Sequence, residues 1–195
     1  MDDLSNFLPS NLLYTEEEMR RYKHGGFDPV SLDDTFKDGR YQVRHKLGWG
    51  GFSTVWLTRD PCVCLKSTIL ITSHPDHRKF RLKKWVSLKI LGADIPKPSR
   101  ELQILQDLRQ KRAAHQIVQL LDSFVHQGPN GSNQCLIFEL LGPSVDFIAD
   151  DYHMDSDRLD PAIILRIVRQ LLKAVASIHA AGYAHGGLFW QPLPI

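Results

Sequence analysis

The sequence has few cysteines, little net charge and no long apolar run, and each of these features argues against one class of protein. Three cysteines in 195 residues are too few for a disulfide framework and suit a reducing compartment. The 24 Lys and Arg residues are nearly balanced by 22 Asp and Glu residues, which argues against a broad nucleic-acid-binding surface. No run of about 18 apolar residues is present, and the acidic N-terminus lacks the features of a secretory signal. We therefore expect a soluble protein of the cytoplasm, the nucleus or both, with no membrane partner and no direct nucleic-acid partner.

The apolar pattern of the first half predicts a β-rich region. Residues 1–40 are polar and rich in turn residues, and we expect an arm with little core of its own. From Tyr41 onward apolar and polar residues alternate, which predicts a strand, and a glycine cluster joins it to a second strand that begins at Phe52. Residues 61–83 interrupt the pattern and are predicted to be an inserted loop before a third strand at residues 85–91.

The second half predicts two helices and two more strands. Ser99 is a suitable N-cap for a helix with an apolar stripe. Strand-like runs at residues 117–125 and 134–140 flank a turn at residues 128–133. A long amphipathic helix is predicted to begin at Asp160-Pro161 and to end at Gly182. Together these elements predict an α+β fold.

Residues 47–55 place glycines at the turn of the predicted hairpin. Backbone without side chains can approach a polyphosphate there and offer N–H donors to its oxygens. A tight turn with no ligand explains the glycines equally well. The string is not a Rossmann fingerprint, because Ser53 replaces the third glycine and a strand follows instead of a helix.

Lys89 lies among apolar residues of the third predicted strand. Such a lysine often extends to solvent, but after a glycine-rich hairpin Val86-Ser87-Leu88-Lys89 fits the V-A-I-K pattern, whose lysine holds phosphates and pairs with a helix glutamate. Glu101 stands in the first turn of the next predicted helix, where a glutamate also favours the helix dipole.

The apolar run at residues 135–142 ends at a glycine. In a two-lobed nucleotide site this segment would be the hinge, with backbone groups against the adenine edge and Phe138 limiting the pocket behind it. Glu139 and Leu141 are the candidate residues here. A core strand followed by a turn is the alternative.

Taken together, these strings resemble the eukaryotic protein kinases, and specifically the SR-protein kinase type found in fungi. The similarity covers roughly residues 20–60 and 84–188. The matching residues are Tyr22, Gly25-Gly26-Phe27, Pro29-Val30, Gly39-Arg40-Tyr41, Lys46-Leu47-Gly48-Trp49-Gly50-Gly51-Phe52-Ser53-Thr54-Val55-Trp56-Leu57, Val86-Ser87-Leu88-Lys89-Ile90, Arg100-Glu101-Leu102, Ile104-Leu105, Leu121-Asp122, Phe124, His126, Gly128-Pro129-Asn130-Gly131 and Cys135-Leu136-Ile137-Phe138-Glu139-Leu140-Leu141-Gly142.

The resemblance implies a kinase-like fold: an arm (1–40), a β-rich N-lobe with one helix (41–141, with the insert 61–83) and the first helices of a C-lobe (142–195). It implies a serine/threonine kinase that uses ATP and Mg²⁺ on protein substrates, often Ser/Arg-rich ones. Leu47 and Val55 would enclose adenine, and Lys89 would contact the α- and β-phosphates and pair with Glu101. The implied nucleotide-binding residues are Leu47, Gly48, Trp49, Gly50, Gly51, Phe52, Ser53, Thr54, Val55, Lys89, Glu101, Glu139 and Leu141.

The sequence departs from the kinase pattern at the catalytic loop. Gly187 stands where the family has its catalytic Asp, and no Mg²⁺-binding Asn or Asp-Phe-Gly element follows before Ile195. Since phosphoryl transfer needs these groups, we expect this chain alone to be inactive, and a truncated, pseudokinase-like binding protein is the alternative function. His185-Gly186 also resembles the loop of small-molecule kinases, a third and weaker alternative. Cys62-Val63-Cys64 with His74 and His77 lacks the paired spacing of a structural zinc site.

Overall fold

A computed structural model describes residues 17–63, 82–111, 117–142, 145 and 160–184. Most of the predicted insert lies outside the described residues, as does the predicted catalytic loop with Gly187. Within the described ranges, no helix is both long and apolar enough to cross a membrane. The described residues belong to two compact units, one containing the sheet and the other containing the two α-helices.

The first unit is built on a six-stranded antiparallel sheet, with strand order β1-β2-β3-β4-β6-β5. The strands are β1 (Thr35–Phe36), β2 (Tyr41–Gly50), β3 (Ser53–Val63), β4 (Leu82–Leu91), β5 (Leu120–Gly128) and β6 (Gly131–Glu139). A 3₁₀ turn (Met19–Arg21) precedes them. The predicted α+β fold and the predicted glycine-linked hairpin are both present.

Strands β3 and β4 are longer than the sequence pattern predicted. Their pairing continues through Asp60 opposite Lys84 to Val63 opposite Leu82. The predicted loop at 61–83 is therefore wrong at both ends, where the chain is still in the sheet. Charged residues and a proline in these strand ends hide the alternation that marks a half-buried strand.

The hydrophobic core lies on one face of the sheet. Val86, Leu88 and Ile90 alternate along β4 and are almost fully buried, as period-two side-chain alternation requires. They pack with Trp56 of β3 and Ile137 of β6. Because the alternation is strict, Ser87 and Lys89 lie on the opposite face of β4.

The expectation that residues 1–40 contribute little core is wrong. Phe36 is 3% exposed and belongs to the core cluster, and Phe27 is 4% exposed. Val30 packs against the same cluster. The two-residue strand β1 pairs with β2 and brings Phe36 inward. A strand this short has no periodicity that could reveal it in the sequence.

Asp122 of β5 gathers the charged groups at the start of β2. It accepts hydrogen bonds from the Lys37 ammonium (2.7 and 2.6 Å), the Arg40 guanidinium (3.2 Å) and the Tyr41 hydroxyl (2.6 Å). Burial disfavours the ionised carboxylate, but these hydrogen bonds outweigh it and hold the pKa of Asp122 below its ordinary value. Arg40 also bonds Asp60, so the cluster ties three strands together.

The β5–β6 connection is a two-residue turn at Pro129-Asn130, tighter than the predicted turn at 128–133. Gly128 leaves room there for the buried carboxylate of Asp28, because a Cβ on Gly128 would lie 1.9 Å from Asp28 Oδ1. Burial raises the pKa of Asp28, while His126 Nε2, 3.5 Å from its Oδ2, acts in the opposite direction.

The second unit contains α1 (Arg100–Gln110), which begins directly after the predicted N-cap Ser99, and α2 (Pro161–Ala180), whose start and end agree with the predicted helix. Asp160 caps α2 by accepting a hydrogen bond from the Ala162 N–H at 2.8 Å. Gly182 has φ +85°, the left-handed conformation that commonly follows a helix end. Within this unit Tyr183 donates a hydrogen bond to Asp107 at 2.8 Å.

Candidate functional site

The glycine-rich hairpin is closed by the pairing of Gly50 with Ser53, and Gly51 and Phe52 form its tip. The Phe52 side chain is 68% exposed, whereas Ser53 is buried. The Phe52 carbonyl accepts a hydrogen bond from the Gly92 N–H at 2.9 Å. The tip is therefore attached to the chain that leaves β4.

Lys89 lies next to this hairpin in the sheet. Val55 of β3 faces Gly48 of β2 on one side and Lys89 of β4 on the other, and Lys89 in turn faces Leu136 of β6. Residues directly opposite each other in antiparallel strands project to the same face. This row therefore places the Lys89 ammonium on the face of the hairpin residue Val55, away from the hydrophobic core.

Two buried side chains of β6 form an apolar wall on the same face. Leu136 faces Lys89, and Phe138 faces Ser87, two residues before Lys89. Phe138 is 7% exposed and Leu136 is fully buried. The predicted role of Phe138 in limiting a nucleotide pocket stays a prediction.

The remaining candidate residues have different surroundings. Leu47 is exposed and lies at an irregularity of the strand pairing between Lys46 and Gly48. Thr54 is buried toward the core and accepts a hydrogen bond from the Trp56 indole at 3.0 Å. Trp49 lies one residue before Gly50, which closes the hairpin, and its side chain is exposed.

Three candidates lie at or beyond the end of the sheet. Glu139 ends β6 opposite Val86, on the core side of the sheet. Leu141, largely exposed, and Glu101, in the first turn of α1, belong to the second unit. The pairing of Lys89 with Glu101 stays a prediction.

Sequence reasoning missed the contacts that residues 17–27 make with the hairpin. The Arg21 guanidinium donates a hydrogen bond to the Gly51 carbonyl at the hairpin tip, and Glu17 forms an ion pair with Lys46 of β2. The motif from Tyr22 to Val30 is part of the family resemblance, but nothing in its spacing indicates that it contacts the hairpin.

The donor chemistry of this face suits an anionic ligand. An ammonium group and side-chain-free backbone N–H groups are the donors that bind phosphate oxygens in many nucleotide sites. A divalent cation is a different case, since no group of three His, Cys, Asp or Glu residues in the described part of the chain lies close enough to hold a metal.

Comparison with known proteins relates the chain to protein kinases, as the sequence motifs predict. No protein-family model matches the chain. Protein kinase dsk1 of Schizosaccharomyces pombe is 33% identical over 168 residues, which cover 84% of this chain and 28% of dsk1. The probable serine/threonine-protein kinase sky1 of Dictyostelium discoideum is 34% identical over an alignment of 198 positions, gaps included, which covers 89% of this chain and 29% of the relative. SRSF protein kinase 3 of Homo sapiens is 31% identical over 173 residues, 84% and 26% of the two chains.

A solved kinase domain is similar in fold, with a TM-score of 0.51 and 22% sequence identity, over 79% of this chain and 39% of that domain. The chain thus has a partial protein-kinase fold and spans less than a third of the length of these curated relatives. The resemblance inferred from the hairpin, the Lys89 strand and the Gly-Pro-Asn-Gly turn is confirmed. By its sequence similarity to these relatives, the chain belongs to the SR-protein kinase group of protein kinases.

Proposed function

We propose that this chain is the ATP-binding part of a serine/threonine protein kinase of the SR-protein kinase type. The observation that carries the proposal is the row from Gly48 through Val55 to Lys89, which places a lysine ammonium beside the glycine-rich hairpin on the face away from the core. We also propose the division into an arm (1–40), an N-lobe (41–141) and the first part of a C-lobe (142–195).

In this proposal the hairpin and Lys89 hold the triphosphate. Backbone N–H groups of Gly48, Gly50 and Ser53 donate to phosphate oxygens, and the Lys89 ammonium neutralises part of the phosphate charge. An ammonium that is half-buried interacts with an anion more strongly than one in bulk water. Leu47 and Val55 enclose the adenine ring, with the backbone of Glu139 at its edge.

The family uses ATP together with Mg²⁺, which supplies charge neutralisation at the phosphates when bound. The described residues do not include a metal-ligand set that fits Mg²⁺, so the chemistry assigned here to this chain is phosphate binding by Lys89 and the hairpin backbone. In the intact kinase we propose proteins with Ser/Arg-rich segments as substrates. The name of the human relative, SRSF protein kinase 3, is consistent with a protein substrate for that enzyme.

A binding experiment tests the ATP site directly. The full chain is titrated with ATP by calorimetry, next to Lys89→Met and Lys84→Met. Loss of the Lys89 ammonium is expected to weaken ATP binding by about tenfold or more, a difference of about 1.4 kcal/mol. Lys84 lies on the same strand, is exposed and is outside the row, so the same substitution there should leave affinity unchanged. An unchanged affinity in Lys89→Met, or no ATP binding by the unsubstituted chain, would contradict the proposal.

The second candidate function is a nucleotide-binding protein without phosphotransfer. It is favoured by Gly187, which stands where the family resemblance places the catalytic Asp. A glycine has no carboxylate to orient a substrate hydroxyl. Transfer of labelled phosphate from ATP to a Ser/Arg peptide, abolished by Lys89→Met, would show an active kinase. ATP binding with no transfer would support the non-catalytic function.

A further inference from the structure

We propose that residues 17–27, here called the latch segment, hold the glycine hairpin in its binding conformation, and that Arg21 is a positioning residue for nucleotide binding. The proposal rests on the proposed role of the hairpin as a phosphate-binding element. The Arg21 guanidinium donates a hydrogen bond to the hairpin backbone at Gly51, which lies at the tip and outside the row from Gly48 through Val55 to Lys89. Its role is therefore to fix where the hairpin donors stand.

The first contact joins Arg21 to the hairpin tip. Its guanidinium donates to the Gly51 carbonyl and lies over the ring of Phe27, 5.1 Å from the ring centre. Phe27 is itself buried and packs edge-on against Tyr22, with ring centres 5.9 Å apart. The arginine is thus held on a rigid aromatic support, so that it restrains Gly51 and does not simply follow it.

The second contact joins the latch segment to the strand that leads into the hairpin. The Glu17 carboxylate forms an ion pair with Lys46 of β2 and accepts a hydrogen bond from the Tyr22 hydroxyl. Glu17 is buried, which disfavours its ionised form, yet the hydrogen bonds from Lys46 and Tyr22 hold its pKa below the ordinary value. The latch segment therefore contacts the hairpin at two places, Gly51 at the tip and Lys46 of β2.

The latch segment is itself anchored to the sheet through backbone hydrogen bonds. The Asp94 and Ala93 N–H groups donate to the carbonyls of Gly25 and Gly26, at 2.7 and 2.9 Å, and the Gly25 N–H donates to the Asn130 carbonyl at 2.8 Å. The next residue back, Gly92, donates to Phe52 of the hairpin tip. Latch and hairpin are thus fastened to the same short stretch after β4 and form one frame.

This frame matters because a glycine-rich turn is the part of a sheet with the greatest conformational freedom. If the hairpin adopts its binding conformation only part of the time, apparent ligand affinity falls by that fraction. Removing the Arg21 restraint is expected to lower that fraction and to weaken ATP binding about three- to tenfold. The arginine also lines a cavity of about 530 Å³ together with Gly51 and Phe52.

The test compares three substitutions in the full chain. Arg21→Ala removes the contact, and Arg21→Lys keeps a cationic donor and is expected to restore most of the affinity. Arg20→Ala is the matched control. Arg20 lies in the same 3₁₀ turn, is exposed, and has no hydrogen bond or ion pair in the described part of the chain. ATP affinity is measured by calorimetry, and the unfolding temperature of each variant is recorded alongside it.

A second readout needs no nucleotide. Trp49 lies in the hairpin, so acrylamide quenching of its fluorescence reports on hairpin exposure. With Trp85 and Trp190 replaced by Phe, and Trp56 buried, Trp49 dominates the quenching. Arg21→Ala is expected to increase the quenching constant measurably, while Arg20→Ala leaves it unchanged.

The outcomes separate this inference from the proposed function. A chain that binds no ATP overturns the proposed function, and the Trp49 quenching still decides the latch. ATP affinity and Trp49 quenching that are both unchanged in Arg21→Ala overturn the latch, even if Lys89→Met abolishes binding. A loss of affinity that Arg21→Lys does not restore, with equal loss in Arg20→Ala, also overturns the positioning role.

Discussion

At the scale of single residues, Asp122 has the densest set of charged partners described in the sheet unit. Its carboxylate accepts hydrogen bonds from Lys37, Arg40 and Tyr41. Arg40 also donates a hydrogen bond to the buried Asp60. Breaking one member of a partly buried charge cluster costs more than the pair was worth, because the remaining charges are left uncompensated. The cluster should therefore respond strongly to a change at Asp122.

Asp122→Asn is expected to lower the free energy of unfolding by about 2 kcal/mol. Asp33→Asn is the control. Asp33 also bonds an arginine, Arg44, at 2.6 Å, but its side chain is 65% exposed, so its loss should cost less than about 0.5 kcal/mol. Urea unfolding followed by circular dichroism measures both values, and equal effects of the two substitutions would contradict the account.

The effect of Asp122 also depends on pH with a definite sign. The pKa of Asp122 is lower in the folded chain than in the unfolded chain. Its contribution to the free energy of unfolding is therefore complete above its pKa in the unfolded chain, which is about 4. As pH falls from there through the folded pKa, the unfolded chain binds the proton first and the contribution is lost. The difference in unfolding free energy between wild type and Asp122→Asn should therefore shrink below about pH 4.

Asp28 has a raised pKa, so the folded chain keeps the Asp28 proton to higher pH than the unfolded chain does. The contribution of Asp28 to stability therefore changes with pH in the opposite direction. Asp28 is present in both proteins, so its effect cancels in this difference. A wild type-to-variant difference that stays constant or grows as the pH is lowered would show that Asp122 is not the group responsible. Unfolding curves at several pH values between about 3 and 7 decide this.

Gly128 gives a second test at the residue scale. Gly128→Ala would place a methyl group 1.9 Å from the Asp28 carboxylate, so either the turn or the buried Asp28 must move. We expect destabilisation of about 3 kcal/mol. Gly142→Ala is the control, because a Cβ there meets nothing within 4 Å.

A double substitution isolates the clash itself. In an Asp28→Ala background the colliding oxygen atoms are absent, so Gly128→Ala should cost much less than it does in the wild type. Such non-additivity is the signature of two groups in direct contact. Additive effects of the two substitutions in thermal unfolding would count against the steric explanation.

At the scale of elements, periodicity predicted those parts of the chain that have it. Alternation from Tyr41 revealed β2, and the glycines located its hairpin with β3. Asp160-Pro161 and Gly182 marked both ends of α2, because helix caps depend on a few local residues. Each of these signals is contained in the segment that it describes.

The latch segment and β1 were missed for the opposite reason. Their structure depends on partners far away in sequence, such as Arg21 with Gly51 and Gly25 with Asn130. The same limit applies to the candidate site. The sequence identified the hairpin and Lys89, but only the strand register places Val55 and Lys89 side by side on one face.

The cap of α2 provides a prediction for an element. Asp160→Ala removes the acceptor for the Ala162 N–H and is expected to destabilise the helix by about 1 kcal/mol. Asp160→Asn keeps an oxygen at the same place and should retain most of the stability. Thermal unfolding monitored at 222 nm compares the two, and equal losses would show that capping is not the cause.

At the scale of the whole molecule, the apolar stripe of α2 governs behaviour in solution. Leu165 and Leu172 are 54% and 62% exposed, and four further apolar residues of α2 are also exposed. Apolar patches of this kind promote association or precipitation. The chain is therefore expected to be poorly soluble when purified.

Replacing Leu165 and Leu172 by Lys should increase the soluble fraction and shift gel filtration toward a monomer. Arg169→Lys, on the same helix, preserves the surface charge and should change neither property. A sharp monomer peak for the unsubstituted chain would contradict the prediction.

The central position of Cys135 has a practical consequence. Its thiol is fully buried in β6 within the core cluster, and burial raises its pKa to about 12. Because the thiolate is the reactive form, an alkylating reagent can modify this sulfur only when the sheet opens. With Cys62 and Cys64 replaced by Ser, the rate of Cys135 alkylation measures how often the sheet opens spontaneously. ATP should lower that rate if the nucleotide binds the sheet only in its closed form.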